Sequence, residues 1–231
     1  MAKLISGLEI PTKGNIIIDN INTNNKKMFK DIRKKVGIVF QNPENQILFN
    51  NVYDEIAFTM KNLQTDNIKE KIKETLKKLN MSEFINSETY ELSLGQKQRI
   101  TIAEVIATNP KYIVLDEPTT MLDPQGKEDT YNMIKELRNK NNTVIYVTNV
   151  MEEILISDKI IVIENGKIIK TFLKEEILEQ LEFLKEHGIK IPELVKLVFE
   201  LKKCGIKLQV NEWTTQEIIK NIMEALNEKH N

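Results

Sequence analysis

Apolar residues along the chain follow two alternating patterns, and each pattern predicts a different element. Short runs of β-branched and aliphatic residues occur at Ile16–Asp19 and Val36–Phe40, and again in "YIVLDEP" and "TVIYVTN". The last two runs are almost continuously apolar, which is typical of parallel strands covered on both faces. Between the runs lie stretches with helical spacing, such as "NIKEKIKETLKKL", whose apolar residues share one face. The alternation predicts an α/β fold built on a mostly parallel sheet.

The pattern changes character towards the end of the chain. The stretch "KIIVIENGKIIKT" predicts a β-hairpin with Asn-Gly at its turn. Beyond about residue 172 only helical patterns follow, and "PELVKLVFELKK" carries an apolar stripe. A last helix is predicted because Thr214 and Glu217 stand at capping-box spacing. We therefore predict an α/β domain at 1–172 and a helical extension at 173–231.

Composition narrows the classes of protein to which the chain can belong. Lys and Arg (33) nearly balance Asp and Glu (34), so the formal net charge is −1 and no global field attracts nucleic acid. The single cysteine, Cys204, cannot form an internal disulfide, which fits a reducing compartment. No window approaches about 18 uninterrupted apolar residues, and the N-terminus lacks the order of a signal peptide. We therefore expect a cytosolic protein, unless a partner holds it at a membrane, and no nucleic-acid partner.

Two neighbouring carboxylates end one of the predicted strands. Asp116 and Glu117 follow the apolar run "KYIVL", and Pro118 then stops the ladder. Ligands of α/β sheets bind at the carboxyl ends of strands, so one carboxylate could hold a metal while the other orients a water molecule. Alternation along the strand predicts that the two side chains point to different sides. The alternative is that Asp-Glu-Pro only ends a strand and enters a turn.

A turn of small residues precedes the helix predicted in "SLGQKQRITIAEVIA". Ser93 and Gly95 place a hydroxyl and backbone N–H groups at a positive helix end, which suits a phosphate. The alternative is that Ser93 is only an N-cap. The order of the motifs favours a functional role: Gln41 follows a strand, and then come Leu-Ser-x-Gly-Gln, a strand with Asp-Glu-Pro, and "MLD".

Together these motifs resemble the nucleotide-binding subunits of ABC transporters, most specifically in "LSLGQKQRITIAEVIATNPKYIVLDEPTTMLDP". The resemblance implies a P-loop NTPase-like ABC ATPase fold, a helical subdomain at about 41–108, and ATP with Mg²⁺ as cofactors. It implies Glu117 as the general base that polarises the attacking water, and Asp116 and Gln41 as contacts of Mg²⁺. The nucleotide-binding residues that it implies are Gln41, Ser93, Gly95, Gln96, Asp123 and Asn149.

A narrower resemblance comes from "FQNPENQI", "YDEIAF" and the helical stretch "ELVKLVFELKKCGIKL". These segments are similar to the ATPases of energy-coupling factor importers, which take up vitamins, cobalt or nickel. The resemblance implies ATP-driven import as the function and the cytoplasmic face of the membrane as the location. It implies three partners, namely a second ATPase subunit, a transmembrane coupling subunit and a substrate-binding membrane subunit. The extension at 173–231 would then serve dimerisation, or would only pack on the rest of the chain.

One motif of the family is missing from the sequence. A P-loop requires G-x-x-x-x-G-K-[ST], whereas the Gly-Lys pairs at Gly126 and Gly166 are followed by other residues. The opening "MAKLISGLEIPTKG" resembles the second half of the helix that follows that loop. We therefore expect the first strand and the P-loop to lie upstream of Met1. We also expect this chain alone to bind ATP weakly and to hydrolyse none.

Three further positions depart from the family. Asn149 stands where the family has its switch histidine, and an amide is neutral and shuttles no proton. Leu94 replaces a signature glycine, and Glu104 replaces a small residue without an assignable role. Three hypotheses follow: an energy-coupling ATPase subunit that is impaired as given, a non-catalytic partner that supplies a signature motif, or a cytosolic regulatory ABC protein outside transport.

Overall fold

A parallel sheet carries the first of two compact units in the computed structural model, which describes residues 1–139, 142–206 and 208–228. The first unit spans Met1–Val147 and the second begins at Thr148. The elements of the first unit are, in chain order, α1 (Ala2–Ile5), β1 (Ile17–Ile18), β2 (Ile21–Asn22), α2 (Phe29–Lys35), β3 (Val36–Val39), α3 (Val52–Asn62), α4 (Ile68–Lys78), α5 (Leu94–Ala107), β4 (Tyr112–Asp116), α6 (Pro124–Asn139) and β5 (Thr143–Val147).

The sheet has the order β3-β4-β5, and both pairings are parallel. This confirms the sheet that the apolar runs predict, and its central strand is buried as such runs require, with Ile113, Val114 and Leu115 at most 1% exposed. In the register, Val39 lies opposite Leu115. Because the strands are parallel, their carboxyl ends lie at one edge of the sheet, and the residues that follow β3 and β4 are neighbours there.

Three helices connect β3 to β4 and pack on one another. Helix α3 contacts both α4 and α5, and α5 also lies against β3. The apolar stripe of each helix is removed from water, and burying one such side chain contributes about 1.5–3 kcal/mol. The fully buried members include Ile56, Met60, Ile72, Leu76, Ile100 and Ile102. All three helices fall within the range 41–108 expected for a helical subdomain.

The opening residues form one helical turn, α1, which packs against β4. The turn ends at Gly7, whose φ of +71° is the left-handed conformation of a helix C-terminus. The strand predicted at Ile16–Asp19 is shorter than expected. Of these four residues only Ile17 and Ile18 form a strand, β1, which pairs antiparallel with β2 and does not join the parallel sheet.

Asp19 fastens the turn between β1 and β2 to the rest of the unit. Its carboxylate accepts hydrogen bonds from the Nζ atoms of Lys111 and Lys35, both at 2.8 Å, and from the hydroxyl of Tyr112 at 2.7 Å. These hydrogen bonds, first of all the one from Lys111, hold the pKa of Asp19 well below its usual range. Through Asp19, the β1–β2 pair is thus hydrogen-bonded to the end of α2 and to the start of β4.

The second unit joins a hairpin to helices. Its elements are β6 (Lys159–Glu164), β7 (Lys167–Leu173), α7 (Leu181–Glu186), α8 (Glu193–Lys203) and α9 (Thr215–Glu228). Asn165 and Gly166 form the hairpin turn as predicted, with φ of +49° and +74°. Thr214 Oγ1 accepts from the Glu217 N–H at 3.2 Å, but the Glu217 carboxylate accepts from Asn211 and Glu212, so only half of the predicted capping box forms.

The two units divide between Val147 and Thr148, before the hairpin and not near residue 172. The predicted boundary is wrong for packing because Ile160 of β6 and Phe172 of β7 lie in the same core as the helices that follow. That core also contains Leu181, Leu184, Val195, Val198, Trp213 and Ile218. Within the part of the chain that the structure describes, no helix has both the length and the apolar character needed to span a membrane.

Candidate functional site

Gln41 and Glu117 meet at the carboxyl ends of two neighbouring strands. Gln41 lies just beyond β3, and Glu117 follows the last residue of β4. The Nε2 atom of Gln41 donates a hydrogen bond of 2.7 Å to Oε2 of Glu117. A carboxylate acceptor makes such a bond stronger than one between two neutral groups. The parallel pairing of β3 with β4 therefore assembles two of the residues singled out in the sequence, and we call them the strand-end pair.

The backbone of Glu117 leaves the strand abruptly. Its φ is +46°, the left-handed region, which is uncommon for a residue with a side chain and costs of order 1–3 kcal/mol. Two backbone hydrogen bonds hold this conformation: the Glu117 N–H donates to the Val147 carbonyl at 2.9 Å, and the Glu117 carbonyl accepts from Thr120 at 3.3 Å. The alternation of side chains along β4 consequently ends at Asp116. Alternation therefore does not determine the direction of the Glu117 side chain, and the prediction that Asp116 and Glu117 point to different sides on that ground does not apply.

Asp116 is the last residue of β4 and lies partly buried opposite Val147. Its carboxylate and the amide oxygen of Gln41 are hard oxygen donors of the kind that Mg²⁺ prefers. Among the described residues, no group of three or more His, Cys, Asp or Glu side chains could hold a metal ion. Donors of this kind suit a Mg²⁺ ion, which usually keeps several waters or phosphate oxygens in its coordination shell.

The turn at Ser93–Gln96, which we call the signature turn, begins α5 with a complete capping box. Ser93 Oγ accepts from the Gln96 N–H at 3.3 Å, and Gln96 Oε1 accepts from the Ser93 N–H at 2.8 Å. The simpler alternative for Ser93, a helix cap, is thus realised. The Ser93 hydroxyl still carries a hydrogen that it can donate, and the residue is exposed, so a second role is compatible with the first.

Gly95 brings the signature turn against the loop that precedes α6. A Cβ atom at this position would lie 3.2 Å from the Met121 carbonyl oxygen, closer than most Cβ contacts. Asp123 ends that loop, and its Oδ1 accepts from the Gly126 N–H at 2.9 Å in a helix-capping arrangement. The structure therefore places Ser93, Gly95 and Gln96 beside the "MLD" segment of the same chain.

Asn149 lies in the second unit, two residues beyond β5, and is exposed. Its expected contact with nucleotide stays a prediction.

A buried acidic residue to which the sequence alone assigns no role lies in α5. Glu104 is only 8% exposed. Its Oε1 accepts a short hydrogen bond from Thr59 Oγ1, and its Oε2 accepts from Gln46 Nε2 at 2.9 Å. Burial outweighs these bonds and raises the pKa of Glu104 to about 7. The signal in the sequence is a lone acid within the apolar run "ITIAEVIA".

A second buried acid, Glu55 of α3, binds the loop that contains Gln46 a few residues further along the chain. Its Oε2 accepts from the backbone N–H groups of Leu48 and Phe49, at 2.8 and 2.7 Å. Burial raises the pKa of this carboxyl too. Residues 40–49, which we call the Gln41 segment, are therefore fastened to the three-helix subdomain by two carboxylates. The apolar side chains of Leu48 in this segment and of Phe58 and Tyr90 beside it are exposed.

Comparison with known proteins identifies the family. The profile of the ABC transporter family matches residues 1–120. The energy-coupling factor transporter ATP-binding protein EcfA1 of Caldanaerobacter subterraneus is 38% identical over 225 residues, which cover 96% of this chain and 81% of that protein. The chain belongs to the energy-coupling factor ATP-binding proteins of the ABC transporter family.

Solved structures agree with the predicted ABC ATPase fold of this energy-coupling factor chain. The structure of cbiO1 from Clostridium perfringens, described as part of the ABC transporter complex cbiONQ, is 28% identical with a TM-score of 0.67, covering 85% of this chain and 80% of cbiO1. The ATP-binding cassette MJ0796, solved as a dimer with ADP and Pi, is 28% identical with a TM-score of 0.69, covering 75% of this chain and 78% of the cassette. The expected fold class is confirmed.

Proposed function

We propose that this energy-coupling factor chain works at the cytoplasmic face of the membrane, where ATP binding and hydrolysis drive the uptake of a vitamin or a metal ion. The observation that carries the proposal is the strand-end pair. Glu117 is the group that polarises the attacking water, and the 2.7 Å hydrogen bond from Gln41 holds its carboxylate in place. Asp116 and the amide oxygen of Gln41 would contact Mg²⁺, which neutralises charge on the phosphates when it is bound.

The signature turn acts towards a second subunit in this proposal. Ser93, Gly95 and Gln96 face nucleotide held by a second ATPase subunit, and Asp123 reaches the same interface. The exposed Ser93 hydroxyl at the positive end of α5 is suited to a phosphate oxygen. The dimeric state of the MJ0796 cassette supports pairing of this kind. Asn149 would contact nucleotide from the position of the family's histidine, through a neutral amide.

The Gln41 segment is the proposed docking surface for the transmembrane coupling subunit, which in turn works with a substrate-binding membrane subunit. Leu48 is 72% exposed, and Tyr90 is 68% exposed. Neighbouring exposed apolar side chains are typical of a protein interface. A partner docked there would lie against residues that are linked, through one loop, to the strand-end pair.

The 231-residue sequence contains no P-loop motif, and this favours a second candidate function. Backbone N–H groups and a lysine of that motif normally hold the phosphates, so we expect the chain alone to bind ATP weakly and to turn over none. The second candidate is a non-catalytic partner that supplies the signature turn to a full-length ATPase. The complete capping box of Ser93 and Gln96 supports it, because the turn is held by hydrogen bonds within this chain.

The experiment combines the purified chain with and without a full-length ATPase of an energy-coupling factor transporter. We expect no Mg-ATPase activity from the chain alone and a stable complex on co-expression. The comparison uses Glu117→Gln and, as a matched control, Glu128→Gln, an exposed glutamate in the following helix. Turnover by the isolated chain that disappears with Glu117→Gln and persists with Glu128→Gln would show that the chain is active by itself. Failure to form any complex would contradict the proposed pairing.

A further inference from the structure

Glu104 is a buried carboxylate that lies outside the strand-end pair and outside the signature turn. A carboxylate so far removed from water requires hydrogen-bond donors, and both of its oxygens have one, Thr59 on α3 and Gln46 beyond the turn at Pro43–Asn45. The three residues come from three different segments of the first unit. Glu104 therefore joins the subdomain helices to the Gln41 segment.

The connection continues through Gln46 to the strand end. Oε1 of Gln46 accepts from the Phe40 N–H at 3.3 Å. The carbonyl of Phe40 accepts from Gln98 Nε2 at 3.0 Å. Both peptide groups of Phe40 are thus held by side chains, and the second of them is the peptide that leads into Gln41. The Nε2 atom of Gln41 in turn donates to Glu117.

We propose that Glu104 is a positioning residue: by fixing the amide of Gln46 it sets the backbone at Phe40 and hence the place of Gln41 beside Glu117. The proposal rests on the roles of Gln41 and Glu117 in the proposed function, whereas the hydrogen bonds that carry it all lie within this chain. Glu104 itself lies apart from the reacting groups and acts through two residues.

The chemistry of the two groups explains why an acid suits this position. A terminal amide can be turned so that its oxygen and its nitrogen exchange places. The Phe40 N–H requires the oxygen of Gln46 on its side, and an ionised Glu104 requires the nitrogen on the other side. The two demands select the same orientation. Leucine at position 104 would remove one of them and would leave the nitrogen of the partly buried Gln46 without this acceptor.

A neighbouring acid affects the ionisation of Glu104. Glu55 is the acid of α3 that acts on it, and it disfavours ionisation of Glu104. Glu44, in the turn at Pro43–Asn45, is paired with Lys97 at 3.2 Å. The residues that α4 buries against the subdomain, Ile72, Thr75 and Leu76, carry no charge. With a pKa of about 7, Glu104 changes between its two forms near neutral pH, and this provides a direct readout.

The test is NMR on the 231-residue chain with labelled glutamine, without nucleotide. It compares Glu104→Gln and Glu104→Leu with Ile102→Ala, a matched control that damages the core on the same helix. We expect amide exchange at Phe40 to rise about tenfold in Glu104→Leu, as for the loss of a hydrogen bond to a charged group, and the Gln41 side-chain signals to shift. Glu104→Gln, which can bond both neighbours, should keep the wild-type values.

A second readout holds even if Glu104→Leu does not fold. In the wild-type chain the Gln46 side-chain amide signals should titrate with a midpoint near pH 7, and in Glu104→Gln this titration should be absent. A wild-type profile that is flat between about pH 5 and 9, or one that Glu104→Gln leaves unchanged, would overturn the proposal. Equal exchange at Phe40 in Glu104→Leu and Ile102→Ala would do the same.

These readouts also separate the inference from the proposed function. If Phe40 and Gln41 respond to position 104 while the complex with a full-length ATPase hydrolyses no ATP, only the proposed function fails. If the complex hydrolyses ATP and Phe40 is indifferent to position 104, only the inference fails.

Discussion

The strand-end pair and the signature turn meet their hydrogen-bonding needs in opposite ways. Gln41 and Glu117 bond each other across 76 positions of sequence, at a place that exists only when β3 and β4 lie side by side. Ser93 and Gln96 bond each other across three positions and need only the start of α5. The first group is a product of the tertiary fold, whereas the second is a local motif that stays well formed while it faces outwards. The proposed site between two subunits would use both kinds.

The largest expected effect separates the two groups in a complex with a full-length ATPase. Ser93→Arg should lower ATP turnover by about 100- to 1,000-fold, the range for losing a key donor to a developing negative charge. The reason is the proposed role of the signature turn towards nucleotide held by the partner. Steady-state ATP hydrolysis measures it, with Ser82→Arg as a control at an exposed serine. Equal losses in both variants would show that added charge, and not the turn, is responsible.

The pH dependence of stability tests the buried acid behind the strand-end pair. The pKa of Glu104 is raised from 4.5 to about 7, so the folded chain keeps a proton that the unfolded chain releases. Its stabilising contribution is complete below pH 4.5 and is lost as the pH rises to about 7. Between these values wild type should lose up to about 3 kcal/mol relative to Glu104→Gln.

Denaturant unfolding at a series of pH values measures this difference. Comparison with Glu104→Gln isolates Glu104 from Glu55, whose pKa is raised for the same reason. If wild type instead became less stable than Glu104→Gln as the pH falls, the pKa of Glu104 would not be raised in the folded chain.

A smaller effect distinguishes the capping role of Ser93 from its proposed role towards nucleotide. Ser93→Ala removes the side-chain acceptor for the Gln96 N–H and should cost about 1 kcal/mol of stability, whereas Ser93→Asn should cost almost nothing, because asparagine is an equally good cap. Thermal or urea unfolding gives both values. If Ser93→Asn restores stability but not turnover in the complex, the two roles are separate; if it restores both, capping is the whole role.

The smallest effect is expected at the strand-end pair itself. If the second candidate function holds, Glu117→Gln of this chain in the same complex should change turnover by less than about threefold, or about 0.65 kcal/mol, because Glu117 then polarises no attacking water. A loss of about 100-fold, the scale for a general base, would mean that nucleotide is hydrolysed at this chain's own strand ends.

Local patterns in the sequence were sufficient for β3, β4 and β5, for the hairpin turn and for the cap at Ser93, because each depends on residues within a few positions. They were insufficient wherever distant residues compete. The boundary near residue 172 failed because Phe172 buries its side chain among helices that follow it in sequence. The left-handed backbone of Glu117 depends on a hydrogen bond to Val147, from a strand that comes 30 residues later. Glu104 had no assignable role until the fold placed Gln46 beside it.

Gly95 gives the first unit a joint without slack. The Met121 carbonyl lies so close that even a methyl group at position 95 would push one side away by a few tenths of an ångström. The loop that ends at Asp123 and the first turn of α5 are consequently packed with no room for a side chain at position 95. We therefore expect a shift of this loop to move the signature turn with it, because two backbone segments are in direct contact there.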